Sequence, residues 1–140
     1  MKIIYKTKDN KEFDNEQDAV WHEKDLYKNE NINTTQLLVF ELLKRASFNG
    51  FDGEHCVNYL IKNKDKWVGV MPEVQYYALR DISGNSFHID TIQIKCKDEE
   101  TAKTFFHLLK RNLTPDEISL EVDEGDYSNK SKRIINLWWD

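Results

Sequence analysis

"TIQIKCKDEETAKTFFHLLKRNLTPDEISLEV", Thr91 to Val122, carries two hydrophobic rhythms in succession. Ile92, Ile94 and Cys96 alternate with Thr91, Gln93 and Lys95, the period of a half-buried strand. Asp98 is placed to cap a helix in which Ala102, Phe105, Phe106 and Leu109 form one apolar stripe. Thr114-Pro115-Asp116-Glu117 supplies turn chemistry, and "ISLEV" returns to strict alternation. Strand, helix and strand in this order predict a sheet with a helix laid on one face.

Toward the C-terminus, "RIINLWW" reads as one more strand, reached through a loop of about nine residues that starts acidic and turns basic. Ile135, Leu137 and Trp139 alternate with Ile134, Asn136 and Trp138. The two tryptophans therefore point to opposite sides. One is expected in the core, the other either under a helix or exposed.

Toward the N-terminus the signals are looser. "WVGVM" reads as a short strand, and Pro72 as the first position of a helix "PEVQYYALRDI", although those letters also tolerate a strand. Asp52 is expected to cap a helix carrying the i, i+4 pairs Cys56–Leu60 and Val57–Ile61, after a break at "FNGFDG". Thr34 or Thr35 caps "TQLLVFELLKRAS", apolar around most of its circumference, which predicts a helix central to the core. The chain opens with a hairpin, Ile3-Ile4-Tyr5, Asp9-Asn10, Phe13. Asp14 and Gln17 then form a capping box for a helix with Ala19, His22 or Glu23, and Leu26 on one side, widened by Val20 and Tyr27. The expected fold is α+β: an N-terminal β-hairpin and helices, then a C-terminal βαββ unit, with a mostly antiparallel sheet and helices on one face. A single domain over 1–140 is expected, with a hairpin-plus-helical half over 1–66 and a sheet-rich βαββ half over 67–140.

Composition narrows the function classes. With 39% hydrophobic and 32% charged residues, four tryptophans, six tyrosines and seven phenylalanines, the chain has the makings of a packed core. Net charge is −5, and residues 114–140, with three bases against seven acids, hold most of it. Asp116, Glu117, Glu121, Asp123, Glu124 and Asp126 fall in a stretch without a base. Binding to nucleic acid needs clustered cations, so direct nucleic-acid binding is not expected. Cys56 and Cys96 are far apart with no C-x-x-C spacing, as in a reduced, cytoplasmic protein. No apolar run suits a membrane span or a secretory leader.

No catalytic constellation stands out. A G-x-S-x-G elbow and phosphate-binding glycine loops are missing, and His55 beside Cys56 on a helix diverges rather than forming a dyad. His88 and Asp90 are the one pair with the spacing to orient an imidazole on a strand face. "TIQIKCK" has neither the glycine nor the aromatics of a sheet-based RNA-binding module. No enzyme activity, no metal and no cofactor are expected.

The opening "KIIYKTKDNKEFDNEQDAVWHE" resembles the hairpin-plus-helix start of many small bacteriophage and mobile-element accessory proteins. The matching residues are Tyr5, Thr7, Asp9, Phe13, Ala19, His22 and Glu23, with Asn10 where glycine is usual. The Lys- and Asn-rich, Pro-poor composition is similar to low-GC phage coding. Small acidic proteins of this kind, anti-CRISPR proteins among them, act by occupying a functional surface of a host protein. The resemblance implies a non-enzymatic inhibitor or regulator of a host protein, including one that itself binds nucleic acid. Asp123, Glu124 and Asp126 are the candidate rim charges, and Tyr127 and Trp138 the candidate anchors, since interface hot spots favour aromatics. A homodimer through the "LWWD" edge is a further expectation. The alternative is a small-ligand or nucleotide pocket between the two halves.

Overall fold

The computed structural model describes residues 3–6, 10–20, 32–48, 50–74 and 77–140. By contacts the chain divides into two compact units, Met1–Leu37 and Leu38–Asp140.

In the first unit, β1 (Tyr5–Lys6) and β2 (Glu12–Phe13) form an antiparallel hairpin with Tyr5 opposite Phe13. Asn10 has φ 66°, the left-handed conformation that asparagine tolerates best after glycine, which accounts for its place in a glycine position. Residues 16–20 are helical. Their cap is Asn15, whose Oδ1 accepts from the Gln17 N–H at 2.7 Å, one residue after the expected Asp14. Ala19 is buried, whereas Val20 is exposed and does not widen the apolar side. Thr7, Asp9, His22, Glu23, Leu26 and Tyr27 lie outside the described residues.

Helix α1 (Thr34–Lys44) is capped by Asn33, whose Oδ1 accepts from the Gln36 N–H at 2.9 Å, rather than by either threonine. It is not central to a core. Only Gln36, Phe40 and Leu43 are buried, and Leu38 is 66% exposed. Apolar content around a helix overstated its burial, because contact selects one stripe.

The second unit begins within α1, at Leu38. β3 (Ser47–Phe48) and β4 (Phe51–Asp52) make a short hairpin where the sequence suggested a plain break. α2 (Gly53–Lys62) starts beneath it, with Asp52 Oδ1 accepting from the His55 N–H as expected. A Cβ on Gly53 would meet the Leu43 and Ala46 carbonyl oxygens at 1.9 and 2.6 Å, so only glycine fits between the end of α1 and the start of α2. A 3₁₀ turn at Lys64–Lys66 then delivers Trp67 into the core. Its Nε1–H donates to the Leu60 carbonyl at 2.7 Å, and its ring meets Phe40 edge-on.

The remaining elements are β5 (Gly69–Pro72), α3 (Tyr77–Ser83), β6 (Thr91–Lys95), α4 (Glu99–Leu113), β7 (Glu117–Val122) and β8 (Lys132–Trp138). Pro72 closes β5 opposite Ile92 instead of opening a helix, and α3 begins only at Tyr77. Proline is tolerated there because β5 is an edge strand. The sheet order is β5-β6-β8-β7, antiparallel throughout, so β8 fills the gap between β6 and β7 of a split βαβ unit.

One face of this sheet is core. Val70, Ile92, Ile94, Ile135 and Leu137 are buried, as are Ala102, Phe105, Leu109 and Leu113 of α4. Each large side chain so removed from water stabilises by about 1.5–3 kcal/mol. Asp98 caps α4 through the Thr101 N–H at 2.8 Å, and Thr114 ends it with φ 46°. Phe106 lies at the stripe's margin, half-buried. Trp139 is the buried tryptophan: its Nε1–H donates to the Leu113 carbonyl at 3.2 Å, and its ring lies 4.7 Å from Phe51. The architecture is α+β, with the antiparallel sheet and the βαββ succession expected of the sequence.

Candidate functional site

Alternation along the strands decides what the second face of the sheet presents. Opposite rows of it are Met71, Gln93, Asn136 and Ser119, then Thr91, Trp138 and Glu117, then Lys95, Ile134 and Glu121. Met71, Gln93, Glu117, Ser119 and Glu121 are exposed. Trp138, Ile134 and Asn136 are half-buried among these neighbours. Among the described residues, strand β7 has β8 on one side only, so its other edge offers main-chain groups to a further strand. A register shift between Glu121 and Val122 bends its end.

Two hollows lie along β7. One, of about 390 Å³, is bounded by Glu117, Ser119, Asn136, Trp138 and, from α4, Lys110. The other, of about 260 Å³, is bounded by Gln93, Glu121, Asp123, Glu124 and Ile134. Among the described residues the second has three carboxylates in its walls, one of which, Asp123, is paired with Lys95.

The loop over 123–131 is held by its own charges. Asp123 Oδ2 accepts from Lys95 Nζ at 2.8 Å, and its Oδ1 accepts from the Gly125 N–H at 3.0 Å. Arg133 Nη2 donates to Asp126 at 3.1 Å and lies 3.8 Å from Asp123. Hydrogen bonding from Lys95 holds the Asp123 carboxyl below its ordinary pKa, and hydrogen bonding from Ser128 and then Arg133 does so for Asp126. Arg133 is 9% exposed, and its Nε has no hydrogen-bond partner among the described residues. The guanidinium is thus spent inward, on the loop. At the loop's other end, the Lys132 N–H donates to Glu99 of α4 at 2.7 Å.

These contacts sort the residues singled out by sequence. Asp123 and Asp126 carry charges already answered by Lys95 and Arg133, whereas Glu124 is exposed. Tyr127 is 90% exposed at the loop tip. Trp138 stands on the open sheet face, four residues along β8 from Ile134. The loop and the sheet face meet at Asp123. Glu117, Ser119 and Glu121 were missed as site residues, although the alternation of "EISLEV" placed them together on one face.

His88 and Asp90 precede β6 rather than lying within it, and Asp90 accepts from Thr91 Oγ1 at 2.8 Å. Burial pushes the thiol of Cys56 up to about 12, assisted by Asp52, and that of Cys96 up to about 11, assisted by Asp98. Neither thiol is nucleophilic at neutral pH. Among the described residues, no three His, Cys, Asp or Glu side chains converge as metal ligands. No helix among them is long and apolar enough to cross a membrane. Comparison with protein-family models, with curated proteins and with solved structures returns no match.

Proposed function

We propose that the chain is a non-enzymatic protein-binding inhibitor or regulator, encoded by a phage or mobile element and acting in the cytoplasm on a host protein. The supporting observation is the open face of the four-stranded sheet. It carries a half-buried tryptophan and isoleucine, an exposed methionine, and two carboxylates at an unpaired edge. Apolar anchors ringed by charge are the composition of an interface core and rim. Tyr127 and Glu124 extend that surface onto the loop. Occupying a basic functional surface of the target, including one that normally grips nucleic acid, would suit these acids. The test is affinity capture from host lysate by the wild-type chain and by Trp138→Ala and Tyr127→Ala variants, at low and high salt. A protein retained by the wild type and lost with the variants supports the proposal. Equal retention by all three removes this surface from it.

A second reading has its own observation. A hollow of about 580 Å³ is bounded by Leu42 and Arg45 at the end of α1 and by Ile82, Asn85, Ser86 and Phe87. A small ligand held there is the alternative function, and native mass spectrometry of the purified protein decides it. A bound small-molecule mass that disappears on Arg45→Ala favours that alternative.

A further inference from the structure

We propose that the partner adds an extended strand to the free edge of β7, with Lys or Arg residues at positions i and i+4 facing Glu117 and Glu121. This assignment rests on the protein-binding reading above and names the chemistry of the partner segment.

Of the sheet's two edges, β7 is the one built to accept a strand. It runs six residues, Glu117–Val122. The other edge, β5, has four residues and ends in Pro72, which has no N–H to donate. An added strand gains main-chain hydrogen bonds from the edge and specificity from side chains that alternate toward one face. On the open face those side chains would stand beside Glu117, Ser119 and Glu121 in turn, because directly opposite residues share a face. The carboxylates are four residues apart, about 13 Å along a strand. One of the two hollows lies at each of them. The hollow at Glu121 adds Glu124; its third carboxylate, Asp123, is already paired with Lys95, so Glu121 and Glu124 are the charges offered to a long cationic side chain. At Glu117 the hollow holds Asp116 and Glu117 against the cation Lys110, and the Trp138 ring in the same row gives the aliphatic stem of the second basic side chain an apolar wall.

The same charges disfavour a second copy of this chain. A two-fold pairing of β7 with itself, centred on Ser119, sets Glu117 of each copy against Glu121 of the other. Like charges directly opposite destabilise a pair of strands. The bulge at Glu121 and Val122 further spoils a long self-pairing. A basic strand meets neither obstacle.

The probe is a fluorescein-labelled heptapeptide, Thr-Arg-Val-Thr-Val-Arg-Thr, titrated with the full chain and followed by anisotropy and by amide chemical shifts. Saturable binding is expected, with the largest shifts in 117–122. The double variant Glu117→Lys with Glu121→Lys is expected to weaken it by about tenfold or more, from two opposed pairs turned repulsive. The counterpart peptide with Glu in place of both Arg residues should bind the double variant better than the wild type. Absence of binding, indifference to the charge reversal, or shifts centred on 123–131 overturns strand addition. So does a wild-type dimer in sedimentation that the double variant abolishes. Capture of the same lysate protein by wild type and double variant also overturns strand addition, while leaving the protein-binding reading standing. Loss of capture with Trp138→Ala but not with the double variant separates the two in the same way.

Discussion

At the scale of single residues, adjacent tryptophans lie on opposite faces, Trp139 buried and Trp138 half-buried. Trp139 is sealed against Phe51 and hydrogen-bonded to Leu113, so Trp139→Ala should cost about 3–5 kcal/mol in denaturant unfolding, as for other buried aromatics. Trp138→Ala should cost far less stability and show its effect in partner capture. Equal losses would mean that both rings are structural. Gly53 makes a different point. Its missing Cβ lets two carbonyls of the α1 terminus approach, so Gly53→Ala should destabilise by about 1–3 kcal/mol through overpacking, measured the same way. Alternation told the tryptophans apart before any coordinates. The break at "FNGFDG" marked Gly53 as punctuation but not its close packing, because the atoms that crowd it come from Leu43 and Ala46 across a turn.

At the scale of elements, the charged loop behaves as a clamp with a calculable pH dependence. Asp123 and Asp126 have folded pKa values below their ordinary ones. Their contribution is therefore complete above the ordinary carboxylate value and is lost as pH falls through the depressed folded values. Carboxyl NMR titrations should show both groups still ionised where exposed Asp and Glu have begun to protonate. Arg133→Met should speed hydrogen exchange in 123–131 while leaving β6 and the middle of β8 protected; unchanged exchange would assign the clamp to Lys95 alone. Legibility followed the same scale. β6, α4, β7 and β8 were readable because each has a clean period and its own cap or turn. The β3–β4 hairpin passed unread although Asn49-Gly50 is a two-residue turn signal, since strands of two residues have no period to detect. Pro72 misled because the residue that best begins a helix also suits the end of an edge strand. In the site, exposure of Tyr127 follows from a loop position. The pairing of Asp123 and Asp126 with Lys95 and Arg133 was beyond local reading, since Lys95 comes from another strand.

At the scale of the whole molecule, the two cysteines report global unfolding. Both thiols are buried with raised pKa values, so alkylation at pH 8 should be negligible for the native protein and rapid once denaturant unfolds it. Fast labelling of Cys96 alone would reveal a separately opening sheet. The order β5-β6-β8-β7 has a temporal meaning as well. β6 and β7 are made before β8, yet neither touches the other until β8 inserts between them. A ribosome releasing this chain would hold the β5–β6 pair, a helix and an unpartnered β7, and the sheet would become one cooperative body only when residues 132–138 emerge. Deleting them should abolish the unfolding transition rather than trim an edge. The acidic edge of β7 would thus become a rigid surface only once β8 is in place beside it.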